Sequence, residues 1–182
     1  MGKALAMAEF MTVSTGIRAA DMMIKTAEVS VIEAEVVCPG KYIVLIEGEL
    51  SAVRASVDAV KAAFSDKLID SFVLGNPHNS IFPAIYGSTE IEDRRALGVL
   101  ETYSAASIIM AADIAAKTSI VDLIELRIAK GMCGKSYMLL TGEVAAVEAA
   151  IEKAKVEVKD GAMFLDSSVI ANPDDKLWET II

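Results

Sequence analysis

Apolar positions in the first half of the chain follow strand spacing and helix spacing in turn. Residues 3–9 alternate weakly and residues 29–37 are rich in β-branched side chains, so both segments are predicted to be strands. A helix is predicted to follow Gly48-Glu49, because apolar residues recur there at i, i+4, i+7 and i+11 and so share one face. Those residues are Val53, Val57, Val60 and Phe64.

Capping and turn residues predict the other elements of this half. A helix is expected from about Ser14 to Ala27, with Ser14 or Thr15 accepting hydrogen bonds from its first free amides. A further strand is expected at residues 68–74. This half therefore contains two helices among its strands.

The sequence Cys38-Pro39-Gly40 is typical of a tight turn. It separates the strand at 29–37 from a third strand predicted at 41–47, so the two strands are expected to form a hairpin. The resulting order is βαββαβ. It predicts an α+β fold with helices on one side of a mainly antiparallel sheet.

The chain repeats itself when its sequence is compared with itself at a fixed offset. The offset is 92 residues at first, becomes 94 after two extra residues in the second half, and ends at 96. Identities in one order with two short shifts indicate a tandem duplication. The matched pairs include Glu9 with Glu101, Asp21 with Asp113, Lys25 with Lys117, Gly40-Lys41 with Gly134-Lys135, and Asp70-Ser71 with Asp166-Ser167.

The duplication predicts two domains, residues 1–91 and 92–182, each folded as one βαββαβ unit of ferredoxin-like type. Two such units make the chain pseudo-symmetric. A ring of three chains would then imitate six repeats, because closed rotational symmetry is the usual way to satisfy identical patches. The expected assembly is a pseudohexameric homotrimer.

Composition narrows the classes of function. The chain has 182 residues, of which 54% are hydrophobic and 5% aromatic, and its formal net charge is −9. That charge argues against nucleic acid as a partner, because phosphate binding needs clustered lysine and arginine. An apolar chain with few aromatic residues indicates apolar surface left for neighbouring subunits.

Neither a membrane location nor secretion is expected. The first residues show no signal-peptide pattern, and the most apolar stretch, residues 105–116, contains Asp113 and is too short to span a bilayer. Two cysteines, Cys38 and Cys133, are too few for a secreted disulfide framework. We therefore expect a cytosolic protein with reduced thiols.

Four short motifs occur once in each half of the chain. The motifs are Ala4–Glu9, Asp21–Lys25, Gly40-Lys41 and Gly48–Val53, with Ala96–Glu101, Asp113–Lys117, Gly134-Lys135 and Gly142–Val147. They resemble those of the bacterial microcompartment shell domain. Their repetition resembles the tandem-domain (BMC-T) class, which implies trimers that tile into the facets of a polyhedral protein shell in the cytoplasm. It also implies other shell proteins and encapsulated redox enzymes as partners.

Residues 37–41, Val-Cys-Pro-Gly-Lys, are similar to the PduT-like proteins of propanediol-utilisation-type compartments. This resemblance implies that three copies of Cys38 hold one [4Fe–4S] cluster in the pore, with a fourth iron site that no protein thiolate fills. The implied role is to pass electrons or an intact cluster across the shell. The chemistry of iron–sulfur clusters is compatible with this ligand set, because a cluster needs several thiolates and three-fold symmetry supplies three from a single cysteine per chain. The amide of Gly40 is expected to be free to donate towards sulfur.

The resemblance also implies that two loops line the pore. Cys133 corresponds to Pro39 in the repeat, and its residue type predicts a buried or incidental thiol unless it acts close to the pore. The predicted pore-loop residues are Pro39, Gly40 and Lys41 in the first half and Met132, Cys133 and Gly134 in the second.

A third set of residues is implied to lie at the edge of the tile. Lys25 and Lys117 are expected to pack along the boundary between tiles. Asn76, Pro77 and His78 follow the last strand of the first half at the same edge. His78 is the only histidine, so we expect it to form an edge hydrogen bond and not to act as a catalytic base.

Several alternatives stay open on the residues alone. Cys38 is compatible with a reduced thiol in a turn, and the tile with a cluster-free pore for small metabolites. A small-molecule-binding regulatory protein is a further alternative, because βαββαβ repeats also occur in ligand-sensing domains. An enzyme is not expected, since no nucleotide-binding or catalytic motif is present. Trp178 is expected to anchor the C-terminal tail against a subunit.

Overall fold

The computed structural model describes residues 4–91 and 94–181. The first repeat contains β1 (Ala4–Phe10), α1 (Val13–Thr26), β2 (Val29–Val37), β3 (Lys41–Gly48), α2 (Leu50–Ala63) and β4 (Leu68–Leu74), followed by a short α3 (Ile81–Ile85). The second contains β5 (Ala96–Thr102), α4 (Ala105–Thr118), β6 (Val121–Arg127), β7 (Ser136–Gly142), α5 (Val144–Asp160) and β8 (Phe164–Ala171), followed by α6 (Asp175–Ile181).

Each repeat forms one antiparallel sheet of four strands. The strand orders are β2-β3-β1-β4 and β6-β7-β5-β8, so the second sheet reproduces the first. Even the irregularities match, because the register shifts after Glu9 and after Glu101, and again between Val31 and Glu33 and between Leu123 and Glu125. The predicted α+β fold with two βαββαβ units is confirmed.

Helices α1 and α2 pack on one face of the first sheet. Alternate residues of β1, from Ala4 to Phe10, join α1 and α2 in one apolar core. The helical spacing predicted for α2 is confirmed, because Val53, Val57 and Val60 are buried in that core. Phe64 follows the helix and meets the ring of Phe10 edge to face, with centroids 6.3 Å apart.

The predicted capping of α1 is wrong. The helix begins at Val13, so Ser14 and Thr15 lie inside it and the N-cap is Thr12. The Thr12 hydroxyl donates to the Thr15 hydroxyl at 3.0 Å, and no side chain caps the free amides of the first turn. The N-terminus of α1 is therefore open in this chain.

Helices α3 and α6 were missed because each is too short to show a helical period. Helix α6 carries Trp178, which is buried in a cluster with Leu97 and Ile124. The indole therefore packs against its own chain, and the expectation that it anchors the tail against another subunit is wrong.

The compact units of the structure do not follow the sequence repeat strictly. One unit combines Met1–Pro77 with Ser104–Ser107 and Ala129–Lys135, and the other combines the remaining segments. The predicted boundary between residues 91 and 92 lies where the described residues stop, since residue 92 is outside them, and it stays a prediction. None of the helices described is both long and apolar enough to cross a membrane.

Gly16 allows α1 to lie directly on Tyr42 of β3. A Cβ atom at this position would lie 2.3 Å from the Tyr42 Cβ, which is closer than real contacts allow. The second repeat carries the opposite sizes at the matching positions, Ile108 and Ser136. Each repeat therefore pairs one large side chain with one small one at these two positions, and the large side chain is on the strand in the first repeat and on the helix in the second.

We expect Gly16→Ala to lower the free energy of unfolding by about 1–3 kcal/mol, because overpacking outweighs the better helix propensity of alanine. Urea unfolding would measure the loss. Gly75→Ala is the matched control, since its Cβ would meet Leu50 at an ordinary 3.4 Å. Equal stability of the two variants would contradict the assigned contact with Tyr42.

Candidate functional site

Cys38 lies on the turn between β2 and β3, and its side chain is exposed. The Cys38 amide donates to the carbonyl of Ala129 at 3.2 Å, and the Gly40 amide donates to the carbonyl of Val37 at 2.9 Å. The expectation that the Gly40 amide is free to donate towards sulfur is therefore wrong. The peptide bond between Cys38 and Pro39 is cis. The turn is fixed by backbone hydrogen bonds while its thiol stays accessible.

The second candidate loop, residues 129–135, is held in a left-handed backbone conformation. Ala129 and Cys133 have φ angles of 58° and 52°, which non-glycine residues seldom adopt. The Lys135 amide closes the loop by donating to the carbonyl of Met132 at 3.1 Å. Cys133 is exposed, so the alternative of a buried thiol is wrong, while an incidental thiol and a role close to the pore stay predictions. Both thiols of the chain are accessible.

Lys41 joins the two loops through its side chain. Its Nζ lies 2.9 Å from Glu9 Oε1 and donates to the carbonyl of Gly134 at 3.1 Å. A Cβ at position 134 would lie 2.9 Å from Lys41 Cε, so the glycine at this position leaves room for the Lys41 side chain. Lys41 therefore links the two loops, and its ammonium group forms an ion pair with Glu9.

Glu9 is a fully buried carboxylate at the end of β1. Its Oε2 accepts from the amide of Ala105 at 2.8 Å, which caps the first turn of α4. Burial raises the pKa of Glu9 above its ordinary value, while the hydrogen bond and charge of Lys41 act in the opposite direction. Sequence patterns missed this role, because the partner amide lies 96 residues away.

The raised pKa of Glu9 predicts a pH-dependent stability difference. The folded state binds the Glu9 proton more tightly, so wild-type protein loses stability as pH rises from about 4.5 through the raised pKa. Glutamine does not titrate. The free energy of unfolding of Glu9→Gln minus that of wild type should therefore rise with pH, by at most about 1.4 kcal/mol per pH unit.

Urea unfolding of both proteins at several pH values between about 4 and 8 measures this slope. The matched control is Glu28→Gln, since Glu28 is exposed. If the difference for Glu9→Gln rises with pH no more steeply than the difference for the control, the burial argument is wrong.

Lys130 binds two glutamates of β2 from the second loop. Its Nζ lies 2.7 Å from Glu35 Oε1 and 3.6 Å from Glu33 Oε2. Burial raises the pKa of Glu33, and the nearby charge of Glu35 adds to this effect, whereas Lys130 opposes it. These two ion pairs are a further contact between the 129–135 loop and β2.

The residues predicted for the tile edge are found at the ends of α1 and α4 and after β4. Lys25 pairs with Asp21 at 2.7 Å and Lys117 pairs with Asp113 at 2.6 Å, each within one helix. The backbone amide of His78 donates to Asp113 Oδ1 at 2.8 Å. Lys25, His78 and Asn76 are exposed and Pro77 is half-buried. Their role at an edge stays a prediction.

One chain does not carry a complete site for a metal cluster. Within residues 4–91 and 94–181, no three histidine, cysteine, aspartate or glutamate side chains lie close enough to hold a metal ion. The free thiols are Cys38 and Cys133, both exposed. An iron–sulfur cluster needs several thiolates, so these residues fit such a group only where thiols of more than one chain meet.

Known proteins resemble the chain over its whole length. The BMC domain model matches residues 4–77 and 96–173. The bacterial microcompartment shell protein PduT of Citrobacter freundii is 34% identical over 182 residues, covering 100% of this chain and 99% of that protein. A carboxysome shell protein of Prochlorococcus marinus is 40% identical over 88 residues, which cover 47% of this chain and 85% of that protein.

Two solved structures resemble the chain, one in family and fold and the other in fold alone. A microcompartment protein of Desulfitobacterium hafniense superposes with a TM-score of 0.84 and 43% identity, covering 98% of this chain and 99% of that one. A fused permuted hexameric shell protein of the RMM microcompartment has a TM-score of 0.66 at 20% identity over 87% and 82% of the two chains, which shows a shared fold. The chain, with two BMC domains in tandem, therefore belongs to the family of bacterial microcompartment shell proteins, as its motifs predicted.

Proposed function

We propose that the chain forms a homotrimeric tile whose central pore carries one [4Fe–4S] cluster, held by Cys38 of three chains. The tile takes its place beside other shell proteins of a microcompartment. The cluster serves the transfer of electrons, or of an intact cluster, across the shell, with encapsulated redox enzymes as partners. The role of the chain is structural and redox-related, and not enzymatic.

The observation that carries this proposal is the exposed thiol of Cys38 on a turn that the rest of the loop holds in place. A ligand that several chains share must reach beyond its own subunit, and a thiol at a hairpin turn does so. Backbone hydrogen bonds from Cys38 to Ala129 and from Gly40 to Val37 fix the direction of the turn. A fixed turn lowers the entropy lost when three thiols are brought to one point.

The donor set fits the group in kind and in number. Each chain supplies one Cys38 thiolate, so three-fold symmetry supplies three, and the fourth iron site is left without a protein thiolate. When bound, such a cluster supplies one-electron redox chemistry at the pore. Cys133 lies on the neighbouring loop and is exposed, but it is not needed for this ligand count.

Analysis of anaerobically reconstituted protein tests the proposal. Sedimentation should give the mass of a trimer, and iron and sulfide assays should give about four of each per three chains. A trimer without iron and sulfide after strictly anaerobic reconstitution would overturn the cluster assignment. That result would favour the alternative of a tile with an open pore for small metabolites.

A further inference from the structure

The two cysteines of the chain lie on two loops of one compact unit. Cys38 is in the turn between β2 and β3, and Cys133 is in the 129–135 loop, which belongs to the same unit as Met1–Pro77. Both side chains are exposed. The proposed cluster takes one thiolate from each chain, that of Cys38, and leaves the thiol of Cys133 unused.

Backbone contacts hold the two loops together on both sides of Cys133. Before it in the sequence, the carbonyl of Ala129 accepts from the Cys38 amide at 3.2 Å. After it, Gly134 lies against Pro39, because a Cβ at position 134 would be 3.1 Å from Pro39 Cδ. Both ends of the segment that carries Cys133 therefore contact the turn that carries Cys38.

Glycines leave the tips of both loops room to move. A Cβ at Gly40 or at Gly131 would meet no atom within 4 Å beyond those of its neighbours in the chain. Gly131 and Gly134 stand on either side of Met132-Cys133, with φ angles of 74° and 85°. A disulfide needs Cα atoms about 4.4–6.8 Å apart, and loop tips with this freedom can reach that separation.

Neither the backbone nor packing explains a cysteine at position 133. Its φ angle of 52° lies in the left-handed region, where glycine and asparagine are favoured. Its side chain is exposed, so it fills no part of a core. A reaction of the thiol accounts for the residue type, since reactivity decides the use of cysteine more often than packing does.

We propose that Cys38 and Cys133 of the same chain form a reversible disulfide while the pore holds no cluster. A small-molecule disulfide such as oxidised glutathione is the oxidant. The Cys38 thiolate attacks one of its sulfur atoms and displaces one glutathione thiolate, so that the other glutathione is bound to Cys38. The Cys133 thiolate then attacks Sγ of Cys38 and displaces the second glutathione. Two electrons pass to the oxidant, and the two protons of the cysteine thiols end on the two released glutathiones.

The disulfide controls whether the pore can be loaded. A chain in the disulfide state offers no Cys38 thiolate to iron until a thiol reduces the bond. This consequence rests on the proposed function, whereas the bond itself needs no cluster. Three Cys38 thiols around one pore cannot all pair with one another, but one Cys133 in each chain gives every Cys38 a partner.

Peptide mapping of cluster-free protein, treated anaerobically with oxidised glutathione, tests the bond. Trypsin cuts after lysine and arginine, so it releases Cys38 in residues 26–41 and Cys133 in residues 131–135. We expect mass spectrometry of the unreduced digest to find these two peptides joined. The intact chain should be lighter by two hydrogen atoms and carry no glutathione, and dithiothreitol should restore both thiols.

Cys38→Ser and Cys133→Ser are the matched variants. Each keeps one exposed thiol, which should stop at the mixed disulfide and retain one glutathione per chain. If the wild type also retained glutathione in place of joined peptides, the intrachain bond would be wrong. A covalent dimer of the wild type on a non-reducing gel would likewise overturn it, because the disulfide would then join two chains.

The cluster-loaded trimer separates this inference from the proposed function. Under the same treatment, we expect loaded protein to give about a tenth or less of the joined peptides, because iron holds the Cys38 thiolates. Equal yields would overturn the control of loading. Joined peptides in a protein that never binds iron and sulfide would overturn the proposed function and leave the disulfide standing. A protein that binds the cluster, but whose cluster-free form gives no joined peptides, would overturn the disulfide alone.

Discussion

Replacing Cys38 by serine is expected to leave reconstituted protein colourless and almost free of bound iron and sulfide. A serine hydroxyl is a poor ligand for iron beside a thiolate, and in a trimer one substitution removes three ligands at once. Iron and sulfide assays and the visible absorption spectrum measure the loss. Because the Cys38 side chain is exposed, the fold and the trimer mass should stay as in wild type.

The matched control for this experiment is Cys133→Ser, which removes the other exposed thiol of the chain. Under the proposed ligand set, this variant keeps its colour and its iron. If Cys38→Ser instead retained iron while Cys133→Ser lost it, the ligand would lie on the 129–135 loop.

Loss of the Lys41 ammonium should be the most damaging single change to stability. We expect Lys41→Met to lower the free energy of unfolding by about 3–5 kcal/mol at neutral pH, because Glu9 would remain buried without its cation. The carbonyl of Gly134 would also lose its donor. Urea unfolding at neutral pH measures the effect, and the loss should shrink in acid as Glu9 takes up a proton.

The control for Lys41→Met is Lys25→Met. Lys25 pairs with Asp21 on the surface of α1, where both side chains are more than half exposed. Pairs of this kind contribute about 0.2–0.5 kcal/mol. If the two variants lost similar amounts of unfolding free energy, the Glu9–Lys41 ion pair would not stabilise the fold as its burial indicates.

Local periodicity accounts for most of the fold that the sequence predicted. Strands at 29–37 and 68–74 were predicted with the observed bounds, since β-branched runs between turns mark strands clearly. The start of α1 was misplaced, because threonine and serine occupy residues 12, 14 and 15 and their order does not reveal which one caps. Helices α3 and α6 are too short to show a period.

The candidate site was predicted less completely than the fold. The turn and the resemblance pointed to Cys38, and its exposure agrees with a shared ligand. Cys133 is not buried, which was one of the alternatives predicted for it, because residue type alone does not reveal an exposed turn with a φ of 52°. The bonds from Glu9 to Ala105 and from Lys41 to Gly134 join residues more than 90 positions apart, and no local pattern reports them.

The interleaved unit has a consequence for how such a chain could have arisen. Met1–Pro77 makes a compact unit together with Ser104–Ser107 and Ala129–Lys135, which come from the other repeat. A single ancestral repeat would have had the Glu9 carboxylate without an amide to accept from, unless a separate molecule supplied one. Gene fusion would then have converted a hydrogen bond between two molecules into a hydrogen bond within one polypeptide. After the fusion, the two halves were free to diverge, as they have at Gly16 and its counterpart Ile108.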